Sequence, residues 1–277
     1  MMSRKVSVII TIYNEEKYIA GCLASLAEQN WQDFEIIVID DGSTDKTYQI
    51  LPGLQTKNYK LRTFRQKHQG LATARNLGAR YAQGEIVVFL DGDMVFSKTF
   101  LKDLIEPILA GKTKGTYSTE EYVANWDNVW ARCWNYNWNL PKKKRIDSKR
   151  KDQQQEFRAI LKKEYDRVGG LDNIGYTDSW TLPKKLGYRP TITKALYYHY
   201  NPSNLSEVFS QAKWTAKRKY KFGKLGKIYA FLRANPLFSL IIGLYKSIIK
   251  KEPAYLIFKL CYDFGFLRGL LEKNTYA

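Results

Sequence analysis

Glu85-Ile86-Val87-Val88-Phe89-Leu90-Asp91-Gly92-Asp93 is the stretch on which the fold of this chain turns. An unbroken β-branched and apolar run reads as a buried strand, and this one stops on two carboxylates one residue apart. Carboxylates that close repel each other, and desolvating them is costly unless a cation compensates. A hard divalent ion, Mg²⁺ or Mn²⁺, with a phosphate on its far side is the usual compensation. An isolated Asp-x-Asp is more often just an acidic loop; the sequence around this one reverses that weighting.

Working outward, Val6-Ser7-Val8-Ile9-Ile10-Thr11-Ile12 is a second apolar strand. Tyr18, Ile19, Cys22, Leu23 and Leu26 then recur at helical spacing. Phe34 to Ile39 is another strand, and it too runs into acid, at Asp40-Asp41-Gly42-Ser43. Thr44 to Leu51 and Gly70 to Ala82 read as helices, with a strand over 59–64 between them. Strands alternating with helices of this length predict an α/β fold on a mostly parallel sheet with right-handed crossovers. Ligands of such sheets bind at the carboxyl ends of the strands, where both acidic motifs lie.

The chain has 277 residues, 44% of them hydrophobic, enough for one large domain with an appendage. Cys22, Cys133 and Cys261 are far apart and make neither a disulfide framework nor a zinc site, which points to a reducing compartment. The N-terminus, Met1-Met2-Ser3-Arg4-Lys5, runs straight into a strand with no signal peptide. Forty-five Lys+Arg against 27 Asp+Glu leave a net charge of +18. Such an excess implies an anionic partner: nucleic acid, acidic lipid or a phosphorylated substrate.

The charge concentrates in two places, Lys142 to Lys151 and Lys213 to Lys227. Pro141 to Gln154 is polar and basic and reads as a mobile loop. Lys114 to Tyr122 and Thr191 to Leu196 read as strands, Tyr176 to Leu186 as a helix ended by Gly187. Beyond Pro202 the composition changes. Leu205 to Phe222 is a basic amphipathic helix, and Pro236–Ile249 and Ala254–Leu271 are apolar but broken by Lys246, Lys259, Asp263 and Arg268. Crossing a bilayer takes about 20 apolar residues, which neither segment supplies without a charge. We therefore divide the chain into an α/β domain over 1–202 and a basic, apolar helical region over 203–277. Lying in a membrane interface suits the second region, with lysines at the headgroups; the alternative is an ordinary helical subdomain packed on the first.

Four motifs, Val6 to Glu15, Ile39 to Asp45, Gly70-Leu71-Ala72-Thr73-Ala74-Arg75-Asn76-Leu77-Gly78 and Leu90 to Asp93, resemble in order and spacing the motifs of family 2 glycosyltransferases. The resemblance is strong over roughly the first 110 residues and patchier to about residue 200. It implies a GT-A fold and inverting transfer of a sugar from a nucleotide-sugar donor. Carried over by position, Thr11, Tyr13 and Glu15 line the nucleoside pocket. Asp41, with Asp40 beside it, accepts from the base, as a carboxylate suits the N–H edge of uracil or guanine. Arg75 lies near the base or diphosphate, Asp91 touches the ribose or a metal-bound water with Gly92 beside it, and Asp93 ligates the Mn²⁺ or Mg²⁺ that bridges the diphosphate. His199, after the last core strand, takes the place of a further metal ligand; an imidazole suits Mn²⁺, and a packed histidine among Tyr197, Tyr198 and Tyr200 is the other reading. His68, which precedes the Gly70 motif, is placed facing the donor. In this family an Asp opening a helix in the second half, commonly within Glu-Asp, is the general base. Gly175-Tyr176-Thr177-Asp178-Ser179-Trp180 occupies that place, making Asp178 the candidate, with Thr177 departing from the Glu and Asp172 in reserve.

Gln211-Ala212-Lys213-Trp214 is one residue short of the Gln-x-x-Arg-Trp motif of processive members, favouring transfer of one sugar. The expected enzyme is a glycosyltransferase with a UDP- or GDP-sugar donor and a lipid-linked or glycan acceptor, cytoplasmic and peripheral on the inner face of the cell membrane. A sugar-nucleotide nucleotidyltransferase shares the architecture, but Thr11-Ile12-Tyr13-Asn14-Glu15-Glu16 is not its Gly-rich phosphate loop. A non-enzymatic basic protein that binds nucleic acid through Trp and Tyr stacking is disfavoured, because the charge lies beside apolar helices.

Overall fold

The computed structural model describes residues 6–54, 61–147, 149, 156–176, 178–218, 220 and 222–272, the side chain of Asp178 excepted. Outside them fall most of the second half of the expected mobile loop, Thr177, Lys219 and Lys221. The chain opens with β1 (Val6–Ile12), α1 (Ile19–Ala27), β2 (Phe34–Asp40), α2 (Thr47–Ile50), β3 (Leu61–Arg65), α3 (Leu71–Tyr81), β4 (Ile86–Asp91), β5 (Met94–Phe96) and α4 (Phe100–Leu109). Then come β6 (Gly115–Ser118), β7 (Glu121–Val123), α5 (Val129–Asn137), β8 (Ala159–Leu161), α6 (Lys162–Arg167), α7 (Thr181–Leu186), β9 (Thr191–Thr193) and β10 (Tyr197–His199). Four helices close it: α8 (Leu205–Ala216), α9 (Gly223–Arg233), α10 (Pro236–Ile249) and α11 (Ala254–Leu271).

These elements form two compact units: Met1–Glu121 with Ile146–Asn173 and Asp178–His199, and Tyr122–Arg145 with Ile174–Thr177 and Tyr200–Ala277. The division therefore differs from the expected 1–202 and 203–277. Trp134 on α5 packs edge-on to Phe258 and Tyr262 of α11, and these apolar contacts join the middle of the chain to its C-terminal helices.

The first unit is built on a seven-stranded sheet in the order β3-β2-β1-β4-β8-β6-β9. β1 pairs parallel with both β2 and β4, and β2 with β3; β8 runs antiparallel to β4 and β6. Every residue of β1 and β2 is buried, as strands covered on both faces require. Val8 and Ile10 face the layer of α1 and α4, through Leu23, Leu26, Phe100 and Leu104. Ile9, Ile37 and Phe89 face α3, which presents Ala72, Ala74 and Ala79. Gly78 lets that helix settle on the sheet, since a Cβ there would overlap Ile9 Cγ2. β5 and β10 pair antiparallel with His199 opposite Met94, and the third strand of this small sheet, β7, starts at Glu121.

In the second unit, α11 packs on α5, α8 and α10 around Trp134, Tyr255, Phe258, Tyr262 and Phe266. The basic run Lys142-Lys143-Lys144-Arg145 is tied down rather than loose: Tyr122 bridges Lys144, and Arg145 Nη1 donates to the Tyr200 carbonyl at 2.9 Å. The expected helix over 205–222 ends at Ala216, and the one over 176–186 is a 3-10 turn, Asp178–Trp180, followed by α7. Cys22, Cys133 and Cys261 are free thiols.

Candidate functional site

The carboxyl ends of β1, β2 and β4 lie side by side, with Thr11 opposite Ile39 on one side and Asp91 on the other, and Ile12 opposite Asp40. Thr11 is buried and its Oγ1 has no partner among the described residues. A buried hydroxyl left unmatched at a strand end costs about 1–3 kcal/mol, so a water or a ligand atom at this strand end completes its bonding. Tyr13, next along, is exposed and stacks on His68 with ring centroids 4.1 Å apart. Both are flat surfaces of the kind on which a nucleobase stacks.

The two β2-end aspartates both bond within the chain. Asp40 Oδ1 accepts from the Ser43 amide at 3.0 Å and from its hydroxyl, while Oδ2 pairs with Arg65 Nε at 3.0 Å. It is a turn-forming residue. Asp41 Oδ1 accepts from Gln66 Nε2 (2.7 Å) and the Gln69 amide (2.9 Å); Oδ2 accepts from the Gly70 amide (2.9 Å) and lies 2.8 Å from His68 Nδ1. Asp41 thereby pins the segment 66–70. Gly42 makes this possible at φ 80°, because a Cβ would sit 2.8 Å from the His68 amide nitrogen.

Asp91 ends β4 within a four-membered charge network. Arg75 Nη2 donates to Asp91 Oδ1 at 2.8 Å and Nη1 to Glu156 Oε1 at 3.1 Å; Arg158 Nη1 lies 3.4 Å from Asp91 Oδ2 and Nη2 3.5 Å from Glu156 Oε2. Both guanidiniums are buried. Burial pushes the Asp91 carboxyl up, but Arg75 and then Arg158 outweigh it and hold it well below the usual carboxylate range. Arg75, expected near the base or diphosphate, has its guanidinium buried and bonded to two carboxylates, one of them Asp91 at the end of β4, which it holds in place. The next residue, Asn76, ties down the Gly170-Leu171 turn, its Oδ1 accepting from the Leu171 amide at 3.0 Å and its Nδ2 donating to the Leu171 carbonyl at 2.9 Å.

Between the two acids, Gly92 is needed for space: a Cβ would lie 2.6 Å from Ile12 Cγ2 and 3.2 Å from Glu15 Cγ. Glu15 thus sits against the Asp91-Gly92-Asp93 turn. Asp93 Oδ2 is 3.0 Å from His199 Nε2, and His199 Nδ1 is 2.7 Å from Glu121 Oε1. Glu121 is buried and its Oε2 also accepts from the Tyr197 hydroxyl at 3.0 Å. A carboxylate on one ring nitrogen of a histidine sets the tautomer and aims the other nitrogen, the arrangement that supports imidazole as a metal ligand. Among the described residues no group of three or more His, Cys, Asp or Glu stands ready to hold a metal. Asp93 and His199 form a two-residue oxygen–nitrogen donor set, which fits Mn²⁺ or Mg²⁺ only if diphosphate and water oxygens supply the rest.

Asp178 opens its 3-10 turn, and its side chain is not among those described. Asp172 is half-exposed and pairs with Lys185 Nζ at 2.8 Å. Sequence reasoning missed Glu121, Glu156 and Arg158. The alternation Glu156-Phe157-Arg158, two charges on one face of a strand start, was the available signal for the latter two; the lone Glu121 carried none.

The model of the family described as "Glycosyl transferase family 2" matches residues 7–169, more than half of the chain. An uncharacterized glycosyltransferase of Haemophilus influenzae is 27% identical over 246 residues, covering 82% of this chain and 93% of the relative. Glycosyltransferase GlyG of Streptococcus pneumoniae is 32% identical over 108 residues, and the poly(ribitol-phosphate) β-N-acetylglucosaminyltransferase TarS of Staphylococcus aureus 42% identical over 102. These two matches cover 39% and 36% of this chain but only 36% of GlyG and 18% of TarS. In structure the chain is similar to TarS 1–349 in complex with UDP (TM-score 0.58, 19% identity, 95% of this chain and 89% of that one). It is also similar to the mannosyltransferase PcManGT of Pyrobaculum calidifontis in complex with GDP-Man and Mn²⁺ (TM-score 0.55, 19% identity, 95% and 73%). The mostly parallel sheet is the GT-A architecture of these neighbours. The motif-bearing half and the fold that carries it agree, and the chain belongs to glycosyl transferase family 2.

Proposed function

We propose that this chain is an inverting glycosyltransferase that moves one sugar from a UDP- or GDP-sugar to a lipid-linked acceptor or surface-glycan precursor. One observation carries the reading: Asp91-Gly92-Asp93 ends β4 beside the unmatched Thr11 hydroxyl, with Asp93 held against His199. The UDP, GDP-Man and Mn²⁺ of the neighbouring structures support the donor class. The acceptor hydroxyl attacks the anomeric carbon from the face opposite the nucleoside diphosphate, which leaves as the new bond forms and the configuration inverts. Tyr13, with His68, stacks on the base, and Thr11 and Glu15 line the nucleoside. Asp91, locked by Arg75 and Arg158, faces the ribose. Asp178 takes the acceptor proton. Asp93 and His199 would hold Mn²⁺ or Mg²⁺, which when bound supplies Lewis-acid stabilisation of the departing diphosphate.

The charge of +18 supports a peripheral position on an anionic membrane surface, and the cytoplasmic, inner face of the cell membrane is part of this proposal. Calorimetry with UDP-, GDP- and dTDP-sugars, with and without Mn²⁺, followed by release of nucleoside diphosphate on adding acceptor, tests the reading. Saturable binding of one donor class that Asp93→Ala weakens only in the presence of Mn²⁺ is expected. Pyrophosphate release from a nucleoside triphosphate would instead establish a nucleotidyltransferase.

A further inference from the structure

α10 is inside out. It is 14 residues of mostly Leu, Ile, Phe and Tyr, yet what it buries is Ser239 and Gly243. Leu237, Ile241, Tyr245 and Ile248, at i, i+4, i+8 and i+11 on one face, are 64%, 55%, 63% and 75% exposed. α9, just before it, buries none of its residues and leaves Leu225 and Leu232 at 74% and 58%. A helix packed for water turns its apolar stripe to the core. α10 turns that stripe outward and its small and polar residues inward. The Ser239 hydroxyl donates to Asp263 of α11, and Asp263 in turn holds the buried Lys259 ammonium at 2.7 Å. Gly243 allows close approach to α11, a Cβ there lying 2.8 Å from Leu256 Cδ1. Small residues and satisfied charges inside with large apolar residues outside are the polarity of helices solvated by hydrocarbon.

The charge pattern says which apolar medium. From Val208 to Lys251 the chain holds eleven Lys and Arg and not one Asp or Glu. A second copy of the chain would press cations on cations, whereas an anionic bilayer takes both the apolar face and the charge. Among the described residues no single helix is long and apolar enough to cross a membrane. α9 and α10 together have the length but are bent by 62° at their junction. The 14 residues of α10 rise about 21 Å, short of the roughly 30 Å of a hydrocarbon core.

We propose that α9 and α10 are a monotopic insertion element, their exposed face entering the acyl layer of one leaflet while Lys224, Lys227, Lys250 and Lys251 meet anionic headgroups. The inference rests on the proposed membrane reading and adds to it which residues enter and that they do not cross. The test uses the full chain carrying Cys261→Ser with Ile241→Cys or Ile248→Cys, each bearing an environment-sensitive fluorophore. It is mixed with phosphatidylcholine vesicles containing about one-third phosphatidylglycerol. A blue shift with quenching by nitroxides on the acyl chains of the outer leaflet, and vesicle affinity lowered about tenfold or more by Ile241→Ser with Ile248→Ser at an unchanged melting temperature, is expected. Binding reversed by salt with quenching only at the headgroup would overturn insertion and leave the membrane reading standing. No binding to vesicles would overturn both. A fluorophore protected without vesicles in a concentration-dependent dimer would assign the face to a second copy.

Discussion

Arg158 is the most informative position to perturb, because the network it belongs to is neutral only as a foursome. Arg75 and Arg158 face Asp91 and Glu156 at separations of 2.8–3.5 Å, with both arginines buried. At 3.4 Å and an effective dielectric constant of about 20, the Arg158–Asp91 attraction is about 5 kcal/mol. Arg158→Met removes it together with the Glu156 contact and leaves a net negative charge under the sheet, for which about 3–5 kcal/mol of stability is expected to be lost. Glu156→Met leaves the opposite imbalance and costs somewhat less, because Glu156 is 19% exposed. The double variant restores neutrality with an apolar pair, and such replacements are often neutral. It should be more stable than Arg158→Met alone, with a coupling energy of about 2–3 kcal/mol. Urea unfolding of the four proteins at pH 7, read at a common slope, measures the cycle. Single losses that add to within about 0.5 kcal/mol would refute the closed network, and with it the assignment of Arg75 and Arg158 to positioning Asp91.

Glu121→Gln should weaken Mn²⁺ binding roughly 10–100-fold by loosening the His199 ring, read by Mn²⁺ paramagnetic resonance with saturating nucleoside diphosphate present; unchanged affinity would remove His199 from the metal. Gly92→Ala, whose Cβ would press on Ile12 and Glu15, is expected to cost about 1–3 kcal/mol of stability and to abolish calorimetric donor binding. Asp91 titrates below the usual carboxylate range; a depressed folded value means its stabilisation is present above about pH 4 and is lost as pH falls through the folded value. Stability measured from pH 6 down to about 2.5 should thus fall less steeply for Asp91→Asn than for the parent chain. Asp41→Ala strips the Gln69 and Gly70 amides of their acceptor; a loss of about 2–4 kcal/mol is expected in thermal unfolding.

The strands β1, β2 and β4 were legible because they are buried on both faces, so their residues are mostly β-branched and apolar, with Ser7 and Thr11 in β1 and Glu35 in β2 too few to set up a polar alternation. α10 and α11 were legible for a different reason: Asn235 caps the first, accepting from the Leu237 amide at 2.9 Å, and Pro236 and Pro253 mark both starts. The three-residue strands β5, β8 and β10 were not, since a segment that short carries no period and exists only because a neighbouring edge pairs with it. The inward turn of Arg75 was not legible for a related reason. A motif says which residue stands in a position, but not whether it faces a cleft or the core, and Arg75 turns inward because Glu156 and Asp91 await it there.

The residue order by itself determined that acids end two strands of an alternating strand–helix pattern, that the family motifs follow in register, and that the C-terminal third is basic and apolar. Those properties are local or periodic, and they survive in one dimension. Only the tertiary structure decided that Asp41 clamps a loop, that Arg158 and Glu156 complete a buried charge network, that Glu121 aims His199, and that α10 buries its small residues instead of its large ones. Each of these joins groups far apart in sequence, as Glu121 and His199 are, whose meeting depends on the path of the intervening chain.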